Sequence, residues 1–304
     1  MTSLALKHPV LAARIGTLWP YAAVIAAILS FALGTTVAKS LFPLIGAESA
    51  VTLRVVLSAL IMAVIFQPWK AKRTGAHLWL TVLFGLVLGA MNLTFYLSLR
   101  TLPIGIALGI EFIGPLTVAL LGARRLSHVA WVGLAGLGLV LLLPLTGQAI
   151  DPVGAGFAAL AAVFWALYIV LGKKLSNFDP GRSLALGMAA AILVVAPVGL
   201  GQMDWALVLT PTVLGLALLV AILSSALPYS LEMAALKHLP RRTFGVMLSL
   251  DPAVGALAGL LILGEQLGGL QWLAIGCIVA ASVGAAATSR EPTPKSAIPT
   301  DAPA

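Results

Sequence analysis

Long apolar runs, rather than alternation, organise this chain. Seven stretches carry no Asp, Glu, Lys or Arg: between Arg14 and Lys39, Arg73 and Arg100, Arg125 and Asp151, Asp151 and Lys173, Arg182 and Asp204, Asp204 and Glu232, and Glu265 and Arg290. Each holds the ~20 residues that a helix needs to cross about 30 Å of hydrocarbon. Three more apolar stretches hold one charge away from their ends: Arg54 in 47–68, Glu111 in 103–123 and Asp251 in 241–263. The pattern predicts ten transmembrane helices. The first run, Ile15 to Ala38, is longer than the apolar region of a signal peptide, about 7–15 residues, so a retained helix is expected. The tail at 290–304 is Pro-rich and polar, and disorder is expected there.

Composition narrows the class. Only 9% of the 304 residues are charged and 61% are hydrophobic, with mean hydropathy +1.08. A soluble domain carries about a quarter charged residues, so a soluble surface is excluded and an all-α polytopic membrane protein is left. Cys277 is alone, which excludes a disulfide framework and any Cys-based metal motif.

The net charge of +8 then reads as topology. With a cytoplasmic N-terminus and ten alternating helices, fifteen of the 18 basic residues fall inside, Lys39 and Arg100 fall outside, and Arg54 lies in the membrane. The positive-inside rule supports the count and the orientation, and a nucleic-acid partner is not expected. Six tryptophans (Trp19, Trp69, Trp79, Trp131, Trp205, Trp272) fall near helix ends as interfacial anchors; Trp165 lies deeper.

The chain also resembles itself. FALGTTVAKSL (31–41) matches WALYIVLGKKL (165–175) at an offset of 134, and LSLRTLP (97–103) matches AALKHLP (234–240) at 137. Pro103 meets Pro240 and Pro115 meets Pro252. Two matches in one order predict a five-plus-five duplication. Five is odd, so the two five-helix repeats are inverted, a design that in transporters places a site between them. The expected organisation is a cytoplasmic tail at 1–17, repeats at 18–148 and 149–289, and a cytoplasmic tail at 290–304.

Charges at membrane depth each cost about 2.5–3.5 kcal/mol on insertion scales, so they need partners, water or a function. Most acids fall in loops or the tail, which leaves three groups. The repeat offset carries Glu111 to within one turn of Asp251, at similar depth. Either acid can exchange a proton, bind an ammonium group or pair with Arg54. Arg54 can hold a carboxylate by its planar fork or snorkel to the interface. Pro115 and Pro252 each free the carbonyl four residues back, marking helix breaks. Asn92 and Tyr96, Trp165 and Tyr168, and Ser225 and Tyr229 are polar or aromatic residues within spans that either line a cavity or bind neighbouring helices. Gly85/Gly89, Gly105/Gly109 and Gly255/Gly259 predict close helix contact. There is no phosphate-binding loop, and no His pair at metal-ligand spacing, so no cofactor or metal is expected.

At this point the chain is similar to the EamA branch of the drug/metabolite transporter superfamily, and within it to bacterial threonine/homoserine exporters. The likeness spans roughly 18–288. Its strongest blocks are AKSLFPLIGA (38–47), YLSLRTLPIGIALGIEFIGPLTVALL (96–121) and the segment 222–265, with Leu263-Gly264-Glu265 closing the ninth helix. The ninth helix of the family reads Glu-Pro where this chain has Asp251-Pro252. The resemblance implies a secondary transporter, not an enzyme, in the cytoplasmic membrane of a bacterium. It would export small amino acids by alternating access, driven by protons or another ion. Glu111 would bind the ammonium or exchange a proton, Arg54 would attract the carboxylate, and Asp251, Tyr96, Trp165 and Tyr229 would complete the cavity. The alternatives are a broad drug or metabolite exporter of the same fold and, from another class, an ion channel.

Overall fold

Every regular element among the described residues is helical, and no strand occurs among them. The computed structural model describes residues 9–70, 75–102, 104–123, 125–142, 151–263 and 268–288. Residues 1–8 of the expected N-terminal tail (1–17), the whole expected C-terminal tail (290–304), Pro103 and the Gly264-Glu265 pair lie outside these.

The helices are α1 (Pro9–Phe66), α2 (Gly75–Ser98), α3 (Ile104–Glu111), α4 (Ile113–Leu121), α5 (Leu126–Leu142), α6 (Pro152–Leu175) and α7 (Pro180–Gly199). A short α8 (Trp205–Val208) precedes α9 (Pro211–Ala221), a π turn (Ile222–Ala226) and α10 (Leu227–His238). Then follow α11 (Arg241–Leu248), α12 (Leu250–Leu263) and α13 (Gly269–Thr288). Among the described residues, six segments are long and apolar enough to cross a membrane: Leu18–Ala38, Leu41–Phe66, His77–Ser98, Pro152–Leu175, Pro180–Gln202 and Pro211–His238. The surface fits that reading, with Leu121, Leu126 and Leu261 each more than four-fifths exposed.

The acids that delimit the apolar runs start helices. Asp151, Asp179 and Asp204 are N-caps whose carboxylates accept from the backbone N–H of Gly154, Arg182 and Ala206, at 2.7, 3.0 and 3.0 Å. Pro152 and Pro180 follow at the first helical position, where the missing N–H costs nothing. The Thr101 hydroxyl and the Gly154 N–H hold the Asp151 carboxyl below the usual carboxylate range.

Four interruptions shape the bundle. The loop expected before residue 47 is instead a sharp kink within α1 at Gly46 (φ 76°, ψ 163°), a conformation that favours glycine. The fourth and ninth apolar stretches, read as single helices, break at Phe112 and Ser249, just before Pro115 and Pro252. The π turn precedes Pro228, which has no N–H to give. Hydroxyls serve the carbonyls around this turn: Ser58 donates to Ala221 O (3.0 Å), Ser30 to Leu223 O (2.6 Å) and Ser224 to Val220 O (2.7 Å). Gly34 lets α1 approach closely, since a Cβ there would lie 2.6 Å from the Ser224 nitrogen.

Small residues bring α2 and α7 together. A Cβ on Gly85 would lie 2.7 Å from the Ala190 Cβ, and one on Gly89 would lie 2.7 Å from the Ala191 carbonyl. At one end of the bundle Arg100 pairs with Glu48 at 2.8 Å. At the other, Lys173 Nζ donates to the carbonyls of Leu236, Lys237 and Leu239 at 2.6, 3.3 and 2.9 Å. Trp19 meets His238 edge-on at 5.0 Å at that end.

Candidate functional site

Between these ends, residues from α1, α2, α3, α6, α10 and α12 line one small, partly open cavity. Its polar lining is Arg54, Asn92, Glu111, Tyr229, Glu232 and Asp251, and its apolar walls are Phe31, Met91, Phe95 and Trp165.

Arg54 follows the Gly46 kink by two turns and points inward, only 2% exposed. Its Nη1 donates to the Tyr96 hydroxyl at 3.0 Å. Its Nη2 donates to Asn92 Oδ1 and, at 3.3 Å, to the Tyr229 hydroxyl. Asn92 is aimed by its own Nδ2, which donates to Leu88 O at 2.7 Å, so its oxygen faces the guanidinium. Tyr229 donates to that same oxygen at 3.1 Å. The guanidinium lies 5.1 Å from the Tyr96 ring centroid and 5.9 Å from that of Phe31. Arg54 therefore does not snorkel, and no carboxylate among the described residues pairs with it. Its Nε has no hydrogen-bond partner there.

The acids are arranged differently. Glu111 is the last residue of α3, at the break, and Asp251 sits in the first turn of α12. They are 4% and 6% exposed. Neither shows a hydrogen bond or ion pair among the described residues, and Asp251 Oδ1 is buried without a partner. Two unpartnered carboxyls, an unpaired guanidinium and aromatic walls suit a small molecule bearing both a cationic and an anionic group.

Of the residues singled out in the sequence, Arg54, Asn92, Glu111, Trp165, Tyr229 and Asp251 meet at the cavity. Tyr96 and Tyr168 stand behind it, bonded to Arg54 and to Glu232. Ser225 is not part of the lining; it lies in the π turn, and its hydroxyl is buried with no partner among the described residues. Glu232 was missed. It lines the cavity, 7% exposed, and accepts from the Tyr168 hydroxyl at 3.0 Å.

Helices as the regular elements among the described residues, an apolar surface and a polar-lined cavity together have the form of a small-molecule transporter of the membrane. Comparison with known proteins gives the family. The EamA-like transporter family matches residues 152–286. The threonine/homoserine exporters RhtA of Escherichia coli K12 and of Salmonella typhimurium SL1344 are each 44% identical to this chain. The alignments span 275 and 274 residues, 90% and 89% of this chain and 92% of each exporter. The uncharacterized transporter YwfM of Bacillus subtilis is 30% identical over 128 residues, 41% of this chain and 43% of its own length. One crystal structure superposes with a TM-score of 0.73 at 18% identity, over 89% of this chain and 98% of that one, a likeness of fold alone. The chain belongs to the EamA family of the drug/metabolite transporter superfamily.

Proposed function

We propose that this protein exports small amino acids of the threonine and homoserine kind across the bacterial cytoplasmic membrane, by alternating access and coupled to protons. The observation that carries the reading is the cavity: Arg54 meets the substrate carboxylate, and Glu111 with Asp251 meets its ammonium group. Relatives named as threonine/homoserine exporters, aligned over nearly the whole chain, support the substrate class. Phe31, Phe95 and Trp165 supply the apolar wall against which a small side chain would pack.

The same reading holds ten spans in two inverted repeats, 18–148 and 149–289, with both termini cytoplasmic. The cavity lining supports it. Phe31 and Trp165 stand 134 residues apart, and Asn92 and Tyr229 stand 137 apart, the offsets of the sequence repeat, and all four face one space. Fifteen basic residues on one side support the orientation.

The test is uptake of labelled threonine by inverted membrane vesicles, in which export becomes accumulation. Uptake stimulated by an acid interior is expected; equal uptake with and without the gradient would sink proton coupling. The aromatic walls also suit a broader metabolite exporter, and an apolar toxin that competes as well as threonine would favour that reading.

A further inference from the structure

Three carboxyl side chains line the cavity, and the export reading gives two of them to the substrate. Glu232 is left over, and its surroundings differ. The Tyr168 hydroxyl donates to it at 3.0 Å, whereas Glu111 and Asp251 receive no such bond among the described residues. A phenol both donates and accepts. One contact therefore serves two states: Tyr168 donates to the carboxylate and accepts from the carboxylic acid. Tyr168 is itself held in place, with its ring stacked on Phe84 at 5.3 Å and packed 5.8 Å from the Tyr229 ring.

Position adds to this. Glu232 lies 137 residues after Phe95, as Tyr229 lies 137 after Asn92, and all four line the cavity. Where the first half presents a phenyl ring, the second presents an acid. Glu232 is also six residues before His238, about 9 Å along the helix from the end that Lys173 clasps.

The groups around Glu232 leave it without a counter-ion among the described residues. From α6 it meets Tyr168, with Lys173 taken up by carbonyls at the helix end. From α1 comes Arg54, bonded to Tyr229 on Glu232's own helix. Asp251 and Glu111 face it across the cavity. α7 has no charged residue beyond Arg182, and the π turn has none.

We propose that Glu232 carries the coupling proton, apart from Glu111 and Asp251, which serve the substrate ammonium. This rests on the export reading. After substrate leaves to the outside, a proton from the outer water bonds to the Glu232 carboxylate. The carrier turns, and the proton departs to cytoplasmic water as the next substrate binds. Only an O–H bond forms and breaks, and one proton enters for each substrate exported. The link to the substrate runs through Tyr229, one turn away on the same helix and bonded to Arg54.

The experiment uses the full chain in liposomes with labelled threonine, measuring counterflow exchange without a gradient and accumulation under a pH gradient. Glu232→Gln is expected to lose gradient-driven accumulation while exchange persists at a reduced rate. Glu232→Asp should restore accumulation. Tyr168→Phe, which keeps the ring and removes the hydroxyl, should shift the pH of half-maximal accumulation. Accumulation by Glu232→Gln at the wild-type level overturns the proposal. If that variant does not reach the membrane folded, an unchanged pH profile in Tyr168→Phe overturns it. Wild-type protein that exchanges no threonine overturns the export reading instead, a failure seen without any variant.

Discussion

Arg54 and Glu111 face one cavity and are about equally buried, yet their surroundings are opposite. Arg54 has two hydroxyls and an amide oxygen within reach, all from neutral residues. Glu111 has no partner among the described residues. A buried polar group left unmet costs about 1–3 kcal/mol, more when charged. The chain bears that cost at Glu111 and Asp251 and, except at Nε, avoids it at Arg54. The difference separates two tasks. In the proposed exporter the guanidinium would be held ready in one geometry, which lowers the ordering cost of binding, and Glu111 and Asp251 would stay open for what enters.

This contrast can be broken most severely at Arg54. Arg54→Ala leaves Asn92, Tyr96 and Tyr229 without their common donor. The expected loss is about 2–5 kcal/mol, at least about 30-fold in threonine counterflow, with a lowered melting temperature. Arg54→Lys should not restore it, because an ammonium lacks the planar fork. Glu111→Gln sharpens the contrast. It should cut transport about ten-fold or more, about 1.4 kcal/mol, yet leave the melting temperature equal or higher, since it removes an unmet buried acid. Transport at the wild-type rate would remove Glu111 from the site. Tyr96→Phe deletes one bond to the guanidinium and should cost about 1 kcal/mol, a several-fold loss of affinity. Arg100→Ala takes an exposed guanidinium away from the buried Glu48 carboxylate, outside the cavity. It should leave threonine affinity unchanged, the smallest effect on transport, while costing about 1–3 kcal/mol of stability because a buried acceptor is stranded.

The fold was legible wherever the signal was local. Charge-free runs located the long spans because hydrocarbon admits few charges. Pro115 and Pro252 foretold breaks because a proline lacks a donor whatever surrounds it. At the site, Arg54, Glu111 and Asp251 stood out as charges inside apolar runs. Glu232 did not, because it falls where the apolar run thins into EMAALKH and reads as a span's end; α10 continues to His238. The repeat offset held the missing signal, since it carries Asn92 onto Tyr229 and Phe95 onto Glu232. Ser225 misled because a hydroxyl within a span looks the same whether it lines a cavity or sits in a turn. The π turn itself depends on Ser30, Gly34 and Ser58, 163 to 193 residues upstream, and no local pattern announces it.

That turn has a mechanical consequence. A helix in hydrocarbon resists bending because each broken bond strands a carbonyl. At Ile222–Ala226 the replacements are already present, and serine hydroxyls can swivel from one oxygen to another as the angle changes. The turn is thus a break in an otherwise stiff rod whose freed carbonyls are already met. On its far side ride Tyr229 and Glu232, so the angle of the turn sets where that wall of the cavity meets Arg54.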